Sequence, residues 1–246
     1  MGTENLTSTE GRVAIIMAGG LGSRLGALAE DVPKPMLKIG GKPILAHSIL
    51  HLKKYGFTSF IISIKYKAAL VKSFFGSGEK WGIDISYVEE PDDFLGTAGP
   101  LALLEEVPKH PFLLINGDIL TTLNVDSLWQ HHHEQKTQAT ICVREHHTQY
   151  PYGIVKSEQG KLTSLTEKPS FTHLINAGIY VLTPSILEYV PSYQYLDMTD
   201  LFQIMLADGM QPSIYIINEK WIDIGTPEDF LKAKTLFLPS MSTHAN

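Results

Sequence analysis

The sequence of Ala14–Leu25 is AIIMAGGLGSRL, an apolar run that leads into three closely spaced glycines and an arginine. Because successive apolar residues cover both faces of a strand, this run predicts a buried strand of a parallel sheet. Glycines lack a Cβ and therefore let backbone N–H groups approach an anion closely. The stretch predicts a phosphate-binding loop at the carboxyl end of a strand.

Two familiar phosphate-binding motifs do not fit this loop. The dinucleotide fingerprint G-x-G-x-x-G needs a third glycine where Leu25 stands, and Arg24 suits a closely packed helix poorly. The Walker A motif ends in Gly-Lys-Ser/Thr, which the loop does not contain. Farther along, Lys34 lies between two prolines, and the second proline predicts an extended backbone at Lys34. We expect Arg24 and Lys34 to reach the same phosphates.

Length and composition limit the class of protein. A chain of 246 residues suits one large α/β domain, and its net charge of -6 argues against a nucleic-acid partner. The single cysteine, Cys142, lies in an apolar stretch and is interpreted as a packed strand residue in a reducing compartment. No apolar run approaches the ~20 residues of a membrane span, and no signal-peptide pattern is present. We therefore expect a cytoplasmic protein with no membrane partner.

Strand and helix patterns alternate in the first half of the chain. They predict strands at residues 60–64, 85–90 and 112–118, and helices at 43–55, 67–75 and 100–107. The second half has more strands, at 139–144, 153–156, 162–167, 177–182 and 213–217, with helices at 125–135, 184–189, 198–208 and 227–238. This order predicts an α/β fold with a doubly wound, Rossmann-like and mostly parallel sheet between two helical layers. A mixed-strand extension is expected to hold a second substrate.

The chain shows no repeat and no clear internal linker, so we expect a single domain over residues 12–238. Its nucleotide-binding lobe is placed at about 12–120 and its second lobe at about 121–238. Residues 1–11 are interpreted as a leader or linker, and residues 239–246 as a tail.

Two carboxylates follow apolar stretches in separate parts of the chain. Asp118 ends the run FLLINGD, and Asp223 lies within WIDIG. Taken singly, each carboxylate could instead cap a helix. Asp223 is a candidate for this role because a helix is expected to begin near Pro227. Together, near phosphates, they predict a Mg²⁺ site, because Mg²⁺ prefers oxygen ligands and keeps several waters.

Seven motifs then occur in one order between residues 12 and 236, and in this order the chain resembles the sugar-1-phosphate nucleotidyltransferases. The motifs are residues 17–25, Pro33-Lys34-Pro35, Leu95-Gly96-Thr97-Ala98-Gly99, Asn116-Gly117-Asp118, Glu167-Lys168-Pro169, Asn176-Ala177-Gly178 and Asp223-Ile224-Gly225. Ser23 stands where the family more often has threonine. Among the members, the guanylyltransferases look most similar.

The resemblance implies a reaction and a set of site residues. A nucleotidyl group would pass from a nucleoside triphosphate to a sugar 1-phosphate with release of pyrophosphate. Arg24, Lys34 and Asp118 would be catalytic, and Asp118 and Asp223 would hold Mg²⁺. The residues implied to bind the nucleotide are Ala18, Gly19, Gly20, Gly22, Ser23, Arg24, Lys34, Glu90, Gly96, Thr97 and Ala98. Those implied to bind the sugar phosphate are Gly153, Glu167, Lys168 and Asn176.

We expect Glu90 to recognise the base of the nucleoside triphosphate. A carboxylate can only accept hydrogen bonds, which suits the adjacent N1–H and amine of guanine and disfavours O4 of uracil or thymine. GTP is therefore favoured, provided that Glu90 and not Glu89 faces the base, since neighbouring strand residues point to opposite faces. The alternatives are a uridylyl or thymidylyl transferase of the same family, a glycosyltransferase, which would normally show a D-x-D pair, and a non-catalytic nucleotide-sugar sensor. The sequence leaves the sugar open, and a homo-oligomer is one of the arrangements it allows.

Two further features remain open to interpretation. His131–His133 cannot all meet one metal ion from a helix, because consecutive residues fan around its axis, so we interpret them as a solvated face. Met198–Asp200 either lies beside the sugar or opens a helix.

Overall fold

The computed structural model describes residues 11–91 and 93–241, with side chains up to residue 237. Its strands are β1 (Val13–Met17), β2 (Lys38–Ile39), β3 (Lys42–Pro43), β4 (Ser59–Ile64), β5 (Asp84–Glu89), β6 (Phe112–Asn116), β7 (Ile119–Thr121), β8 (Ala139–Gln149), β9 (Ile154–Glu158), β10 (Lys161–Thr166), β11 (Ser170–Leu182), β12 (Ser213–Ile216) and β13 (Trp221–Asp223). The α-helices are α1 (Ile44–Lys53), α2 (Ala68–Phe75), α3 (Val125–Gln135), α4 (Met198–Ala207) and α5 (Pro227–Met241).

Seven strands form the central sheet in the order β12-β8-β11-β6-β1-β4-β5. Strands β6, β1, β4 and β5 run parallel to one another, and β12 is parallel to β8. Strand β11 is antiparallel to both of its neighbours, β6 and β8. The predicted α/β fold with a mostly parallel, doubly wound sheet is confirmed. Parallel strands bring their carboxyl ends to one edge of the sheet, where such folds bind ligands.

Strand β1 is buried on both faces, as its sequence predicts. Ala14 and Ile16 belong to a core cluster that includes apolar residues of α1, α2 and α3. Ile15 and Met17, on the other face, belong to a cluster with apolar residues of α4. The alternation of a strand therefore places the loop after β1 between two helical layers, as the sequence predicts. Cys142, on β8, is fully buried, which confirms its interpretation as a packed residue.

Several element boundaries differ from the predictions. Residues 100–107 do not form a helix: a short 3₁₀ helix covers Gly99–Leu103 only, and Pro108 disfavours helical backbone before it. Residues 184–189 are likewise 3₁₀. Strands β8 and β11 are much longer than predicted, because they also pair through the exposed residues 145–149 and 170–174, whose sequence has no regular apolar alternation.

The interpretation of His131–His133 as a solvated face is wrong for His132. Its side chain is 2% exposed, and Nδ1 lies 2.8 Å from the hydroxyl of the buried Thr140 on β8. Helix α3 packs this side against the sheet, so only its neighbours on the helix reach solvent.

Some of the predictions concern residues that the structure does not describe. Residues 1–10 of the predicted leader and residues 242–246 of the predicted tail lie outside the described residues. Among the helices that the structure describes, none is long and apolar enough to span a membrane.

Candidate active site

The loop after β1 is fixed by backbone contacts to both neighbouring strands. The N–H of Ala18 donates to the carbonyl of Ser63 over 2.8 Å, and the N–H of Gly117 donates to the carbonyl of Met17 over 2.8 Å. A Cβ on Gly19 would lie 2.1 Å from Oε1 of Glu90, so any larger residue would displace that carboxylate. The glycine therefore permits a close approach between the loop and an acidic side chain.

A pocket of about 530 Å³, open to solvent, lies at this edge of the sheet. Four segments line it: the loop after β1, the Lys34 turn, the segment after β5 and the turn between β6 and β7. The lining residues are Met17, Ala18, Gly19, Gly20, Lys34, Pro35, Glu90, Phe94, Gly96, Thr97, Asn116, Gly117 and Asp118. Eight of the predicted nucleotide, catalytic and metal residues thus share one cavity: Ala18, Gly19, Gly20, Lys34, Glu90, Gly96, Thr97 and Asp118.

The two predicted metal ligands meet through a small two-stranded sheet. Strand β7 begins directly after Asp118 and pairs antiparallel with β13, in which Asp223 lies opposite Ile119. The N–H of Ile224 also donates to the carbonyl of Asp118 over 3.1 Å. Thr226, not Asp223, caps α5, because its hydroxyl accepts from the N–H of Asp229. The capping alternative for Asp223 is therefore wrong.

Lys34 lies between the two carboxylates. Its Nζ contacts Oδ2 of Asp118 and is 3.8 Å from Oδ1 of Asp223, while its side chain is only 10% exposed. The flanking prolines predict an extended backbone at Lys34, and this prediction is wrong. Lys34 begins a 3₁₀ helix over Lys34–Met36, and the extended residue is Pro33, one position earlier. The N–H of Leu37 donates to the carbonyl of Lys34 and closes this turn.

The carboxylate pair retains unused ligand capacity. Oδ1 of Asp118 and Oδ1 of Asp223 are buried and have no hydrogen-bond partner among the described residues. Burial raises the pKa of Asp223, and the charge of Asp118 raises it further, whereas Lys34 and Arg24 oppose the shift. Buried, unpaired carboxylate oxygens are costly unless a cation satisfies them. A Mg²⁺ ion, which takes one or two carboxylates plus waters and phosphate oxygens, fits this donor set.

Arg24 lies apart from the pocket lining. It is exposed, within a 3₁₀ helix over Ser23–Ala29, and its guanidinium lies 3.8 Å from the position of a Cβ on Gly225. It is therefore close to Asp223, whose carboxylate feels the charge of Arg24. Gly22 and Ser23 also lie outside the lining.

Glu90, and not Glu89, faces the pocket. Glu89 contacts Lys72 of α2, whereas Oε1 of Glu90 accepts from the hydroxyl of Ser63 over 2.7 Å. Burial raises the pKa of Glu90, while the Ser63 hydrogen bond and the charge of Lys65 oppose the shift. The pocket thus contains a second carboxylate, oriented by the hydrogen bond from Ser63.

The Gly96–Ala98 segment is anchored to the start of α4. Oδ1 of Asp197 accepts from the backbone N–H and the hydroxyl of Thr97, over 3.0 and 3.1 Å. Thr97 in turn accepts from the N–H of Met198. Asp197 caps α4 with Asp200, so Met198–Asp200 opens a helix. Ala98 is fully buried and lies outside the lining.

The predicted sugar-phosphate residues lie elsewhere. A Cβ on Gly153 would lie 2.9 Å from Oε2 of Glu167, so these two residues are neighbours at the base of the β9–β10 hairpin. Lys168 is exposed with φ of 44°. Asn176 donates to the Tyr180 hydroxyl over 2.7 Å and accepts from the N–H of Gly178. These four residues are not brought into the pocket lining.

Five lining residues were not among the predicted site residues: Met17, Pro35, Phe94, Asn116 and Gly117. Two of them, Asn116 and Phe94, add a polar and an aromatic side chain. Asn116 has a buried Oδ1 with no partner within the described chain, and a Cβ on Gly178 would lie 2.7 Å from its Nδ2. Its place two residues before Asp118 was the available signal. Phe94 is an aromatic residue in a polar loop, a signal that is weak without the pocket around it.

Comparisons with known proteins agree with this arrangement. The family model described as nucleotidyl transferase matches residues 13–239. A mannose-1-phosphate guanylyltransferase catalytic subunit beta from Drosophila pseudoobscura pseudoobscura is 32% identical over 98% of this chain, and a probable mannose-1-phosphate guanylyltransferase 1 from Oryza sativa subsp. japonica is 34% identical over 94%. The chain spans about two thirds (66%) of the length of each of these relatives.

Solved structures extend the similarity to three dimensions. A putative glucose-1-phosphate thymidylyltransferase from Bacillus anthracis has a TM-score of 0.74 at 25% identity, covering 92% of this chain and 94% of that one. HddC from Yersinia pseudotuberculosis, complexed with GMP-PN, has a TM-score of 0.67 at 26% identity, covering 92% and 99%. The resemblance inferred from the seven motifs is thereby confirmed, and the chain belongs to the nucleotidyl transferase family.

Proposed function

We propose that this chain transfers a guanylyl group from GTP to a sugar 1-phosphate, forming a GDP-sugar and pyrophosphate. The observation that carries the proposal is a single pocket lined by Lys34, Asp118 and the carboxylate of Glu90, which the hydroxyl of Ser63 orients. Relatives named as mannose-1-phosphate guanylyltransferases make mannose 1-phosphate the first acceptor to test.

The phosphate end is suited to nucleotidyl transfer. An oxygen of the sugar phosphate attacks the α-phosphorus, the bond to the bridging oxygen of pyrophosphate breaks, and the leaving group carries away the electron pair. Such a transfer needs positioning and charge neutralisation more than covalent help. Lys34 supplies a buried positive charge beside the pocket, and Arg24 is proposed to meet the departing pyrophosphate.

Asp118 and Asp223 are proposed to hold Mg²⁺ through their unpartnered oxygens. When bound, the ion would neutralise phosphate charge and orient the triphosphate. No cluster of three or more acidic, histidine or cysteine side chains that could hold a metal occurs in the described residues, so the remaining ligands would come from phosphates and water.

The base end favours guanine. The Glu90 carboxylate can accept from N1–H and from the exocyclic amine, two donors that lie side by side on guanine. The similarity to a structure complexed with GMP-PN supports this choice of base. Uracil and thymine would present the O4 carbonyl oxygen to the carboxylate, which is repulsive.

Gly153, Glu167, Lys168 and Asn176 are proposed to bind the sugar phosphate. The contact between Gly153 and Glu167 supports a common site for these two residues. Lys168 offers a cation for the phosphate, and Glu167 an acceptor for sugar hydroxyls.

A panel of four nucleoside triphosphates against several sugar 1-phosphates, with Mg²⁺, tests the proposal. We expect pyrophosphate release to be fastest with GTP. If no pair releases pyrophosphate, the proposal is wrong. Sugar transfer from a finished GDP-sugar to an acceptor would indicate a glycosyltransferase, and tight GDP-sugar binding without turnover would indicate a sensor.

A further inference from the structure

Phe94 is the one aromatic side chain among the described residues that line the pocket. It lies in the segment that connects Glu90 to Gly96, and its side chain is 44% exposed. Both ends of this segment belong to the pocket wall. A large, partly exposed aromatic side chain therefore lines the same cavity as Lys34, Glu90 and Asp118.

The ring is held in place from one side. The Nζ of Lys65 lies over the ring, 5.2 Å from its centroid, which is within the range of a cation–π contact. The same lysine is close enough to Glu90 for its charge to oppose the effect of burial on that carboxylate. The ring is thus engaged by a cation while 44% of the Phe94 side chain remains exposed.

The backbone next to the ring is fixed as well. Leu95 is buried, and its carbonyl accepts from the N–H of Leu196 over 3.0 Å. A Cβ on Gly96 would lie 2.5 Å from the carbonyl oxygen of Leu196, so this segment packs closely against the start of α4. Because the backbone is tied on this side, little ordering of Phe94 is needed when a ligand binds.

Glu90 and Phe94 offer complementary contacts to a nucleobase. A carboxylate fixes the hydrogen-bonding edge of the base, but hydrogen bonds at one edge leave the base free to tilt. An aromatic face fixes the plane and removes apolar surface from water. Together the two contacts define both the edge and the plane of a base.

We propose that Phe94 is the stacking surface for the purine base in the nucleotide site. The inference rests on the proposed function only in taking the ligand to be GTP. It assigns the affinity for the base mainly to Phe94 and the choice of its edge to Glu90.

Calorimetric titration with GTP and with inorganic tripolyphosphate, both with Mg²⁺ and without sugar phosphate, tests the proposal. Phe94→Ala is compared with Phe94→Tyr, which keeps an aromatic face. Phe74→Ala is a matched control, because Phe74 is 39% exposed on α2, where it packs on Phe75 and Trp81 away from the pocket lining.

We expect Phe94→Ala to weaken GTP binding by about 5- to 100-fold, since loss of one base–aromatic stack has effects of this order. Tripolyphosphate binding should stay at the wild-type level, which also shows that the variant is folded. Phe94→Tyr and Phe74→Ala should bind GTP like the wild type.

Unchanged GTP affinity in Phe94→Ala, or an equal loss for GTP and tripolyphosphate, would overturn the assignment. Because these titrations involve no turnover, they are independent of the transfer reaction. A wild-type protein that binds GTP through Phe94 yet never releases pyrophosphate would refute the proposed function and leave this inference intact.

Discussion

The nucleotide side and the β8–β11 side of this molecule hold their polar residues in different ways. Around the pocket, Lys34 is buried, Gly19 contacts Glu90, and the supporting strands β1, β4 and β6 have few exposed side chains. On the β8–β11 side, Glu167, Lys168 and Asn176 are exposed. A charge held on a largely buried side chain has a larger effect than one on an exposed side chain. We therefore expect the two sides to respond unequally to mutation.

The difference originates in the packing of the strands. Strand β1 is covered on both faces by core residues, whereas β9 and β10 pair only with each other as a two-stranded sheet. Val155 and Leu165 are opposite each other in that hairpin, and both remain more than half exposed. An isolated hairpin of this kind contributes little stability of its own. The nucleotide side is therefore the preformed half of the proposed site.

Asp118→Asn should have the largest effect. The substitution keeps the shape of the side chain but removes a charge that contacts Lys34 and a proposed metal ligand. We expect kcat for pyrophosphate release to fall by about 10²- to 10³-fold, comparable with the loss of a principal electrostatic contact in other enzymes.

Asp31→Asn provides the matched control, since the Asp31 side chain is fully exposed. Its Oδ1 lies 3.9 Å from Nζ of Lys67, which makes a weak surface ion pair. It should retain wild-type turnover. A wild-type rate in Asp118→Asn, with circular dichroism confirming the fold, would remove Asp118 from the catalytic set.

Glu90→Gln should change the preference for the base. Glutamine still accepts the Ser63 hydrogen bond but presents an amide donor to the guanine donors. We expect kcat/KM for GTP to fall by about 10- to 100-fold, as for the loss of hydrogen bonds to a charged group. The ratio of GTP to UTP usage is the measurement, and an unchanged ratio contradicts base recognition by Glu90.

Lys168→Ala should weaken the use of the sugar 1-phosphate, by a smaller factor than the substitutions at Asp118 and Glu90 weaken turnover with GTP. Because Lys168 is exposed, its charge is screened by solvent. We expect the KM for sugar 1-phosphate to rise about 5- to 10-fold, with the KM for GTP unchanged. A parallel rise in the KM for GTP would place Lys168 on the nucleotide side and remove the contrast between the two halves.

His132→Gln should act on stability alone. Burial lowers the pKa of His132 from its ordinary value of 6.5 to about 4, with smaller contributions from His131 and His133. The folded state thus favours neutral His132. The contribution of this residue to the free energy of unfolding is fully present above pH 6.5 and is lost as the pH falls towards 4.

Urea unfolding at pH 7 and pH 5 measures this effect. The wild type should lose about 2 kcal/mol more than His132→Gln over this interval. His133→Gln, at a half-buried neighbouring position, should behave like the wild type. Parallel losses in wild type and His132→Gln would show that His132 is not held neutral by the fold.

Sequence patterns predicted the nucleotide half well, because its strands are continuous apolar runs. The loop after β1 and Asp118 follow such runs, and the parallel topology then brings them together. Lys34 lies in a loop and was singled out by its two flanking prolines. The same reasoning placed Asp223 near Asp118, although the pairing of β7 with β13 that joins them is too short to leave a sequence pattern.

The β8–β11 side was harder to predict for physical reasons. The outer halves of β8 and β11 carry exposed residues on both faces, so neither helical nor strand periodicity marks them. His132 was misjudged because the local sequence of α3 does not show that this side of the helix packs against Thr140 of β8. Phe94 was missed because an aromatic residue in a loop gains meaning only from the pocket around it.

Transfer of labelled phosphorus tests the central claim most directly. The enzyme is incubated with mannose 1-phosphate, Mg²⁺ and GTP labelled at either the α- or the γ-phosphorus. If Lys34, Asp118 and Asp223 direct attack on the α-phosphorus, the α-label will appear in GDP-mannose and the γ-label in pyrophosphate. Appearance of the γ-label on the sugar, or of the α-label in free GMP alone, would contradict guanylyl transfer at this site.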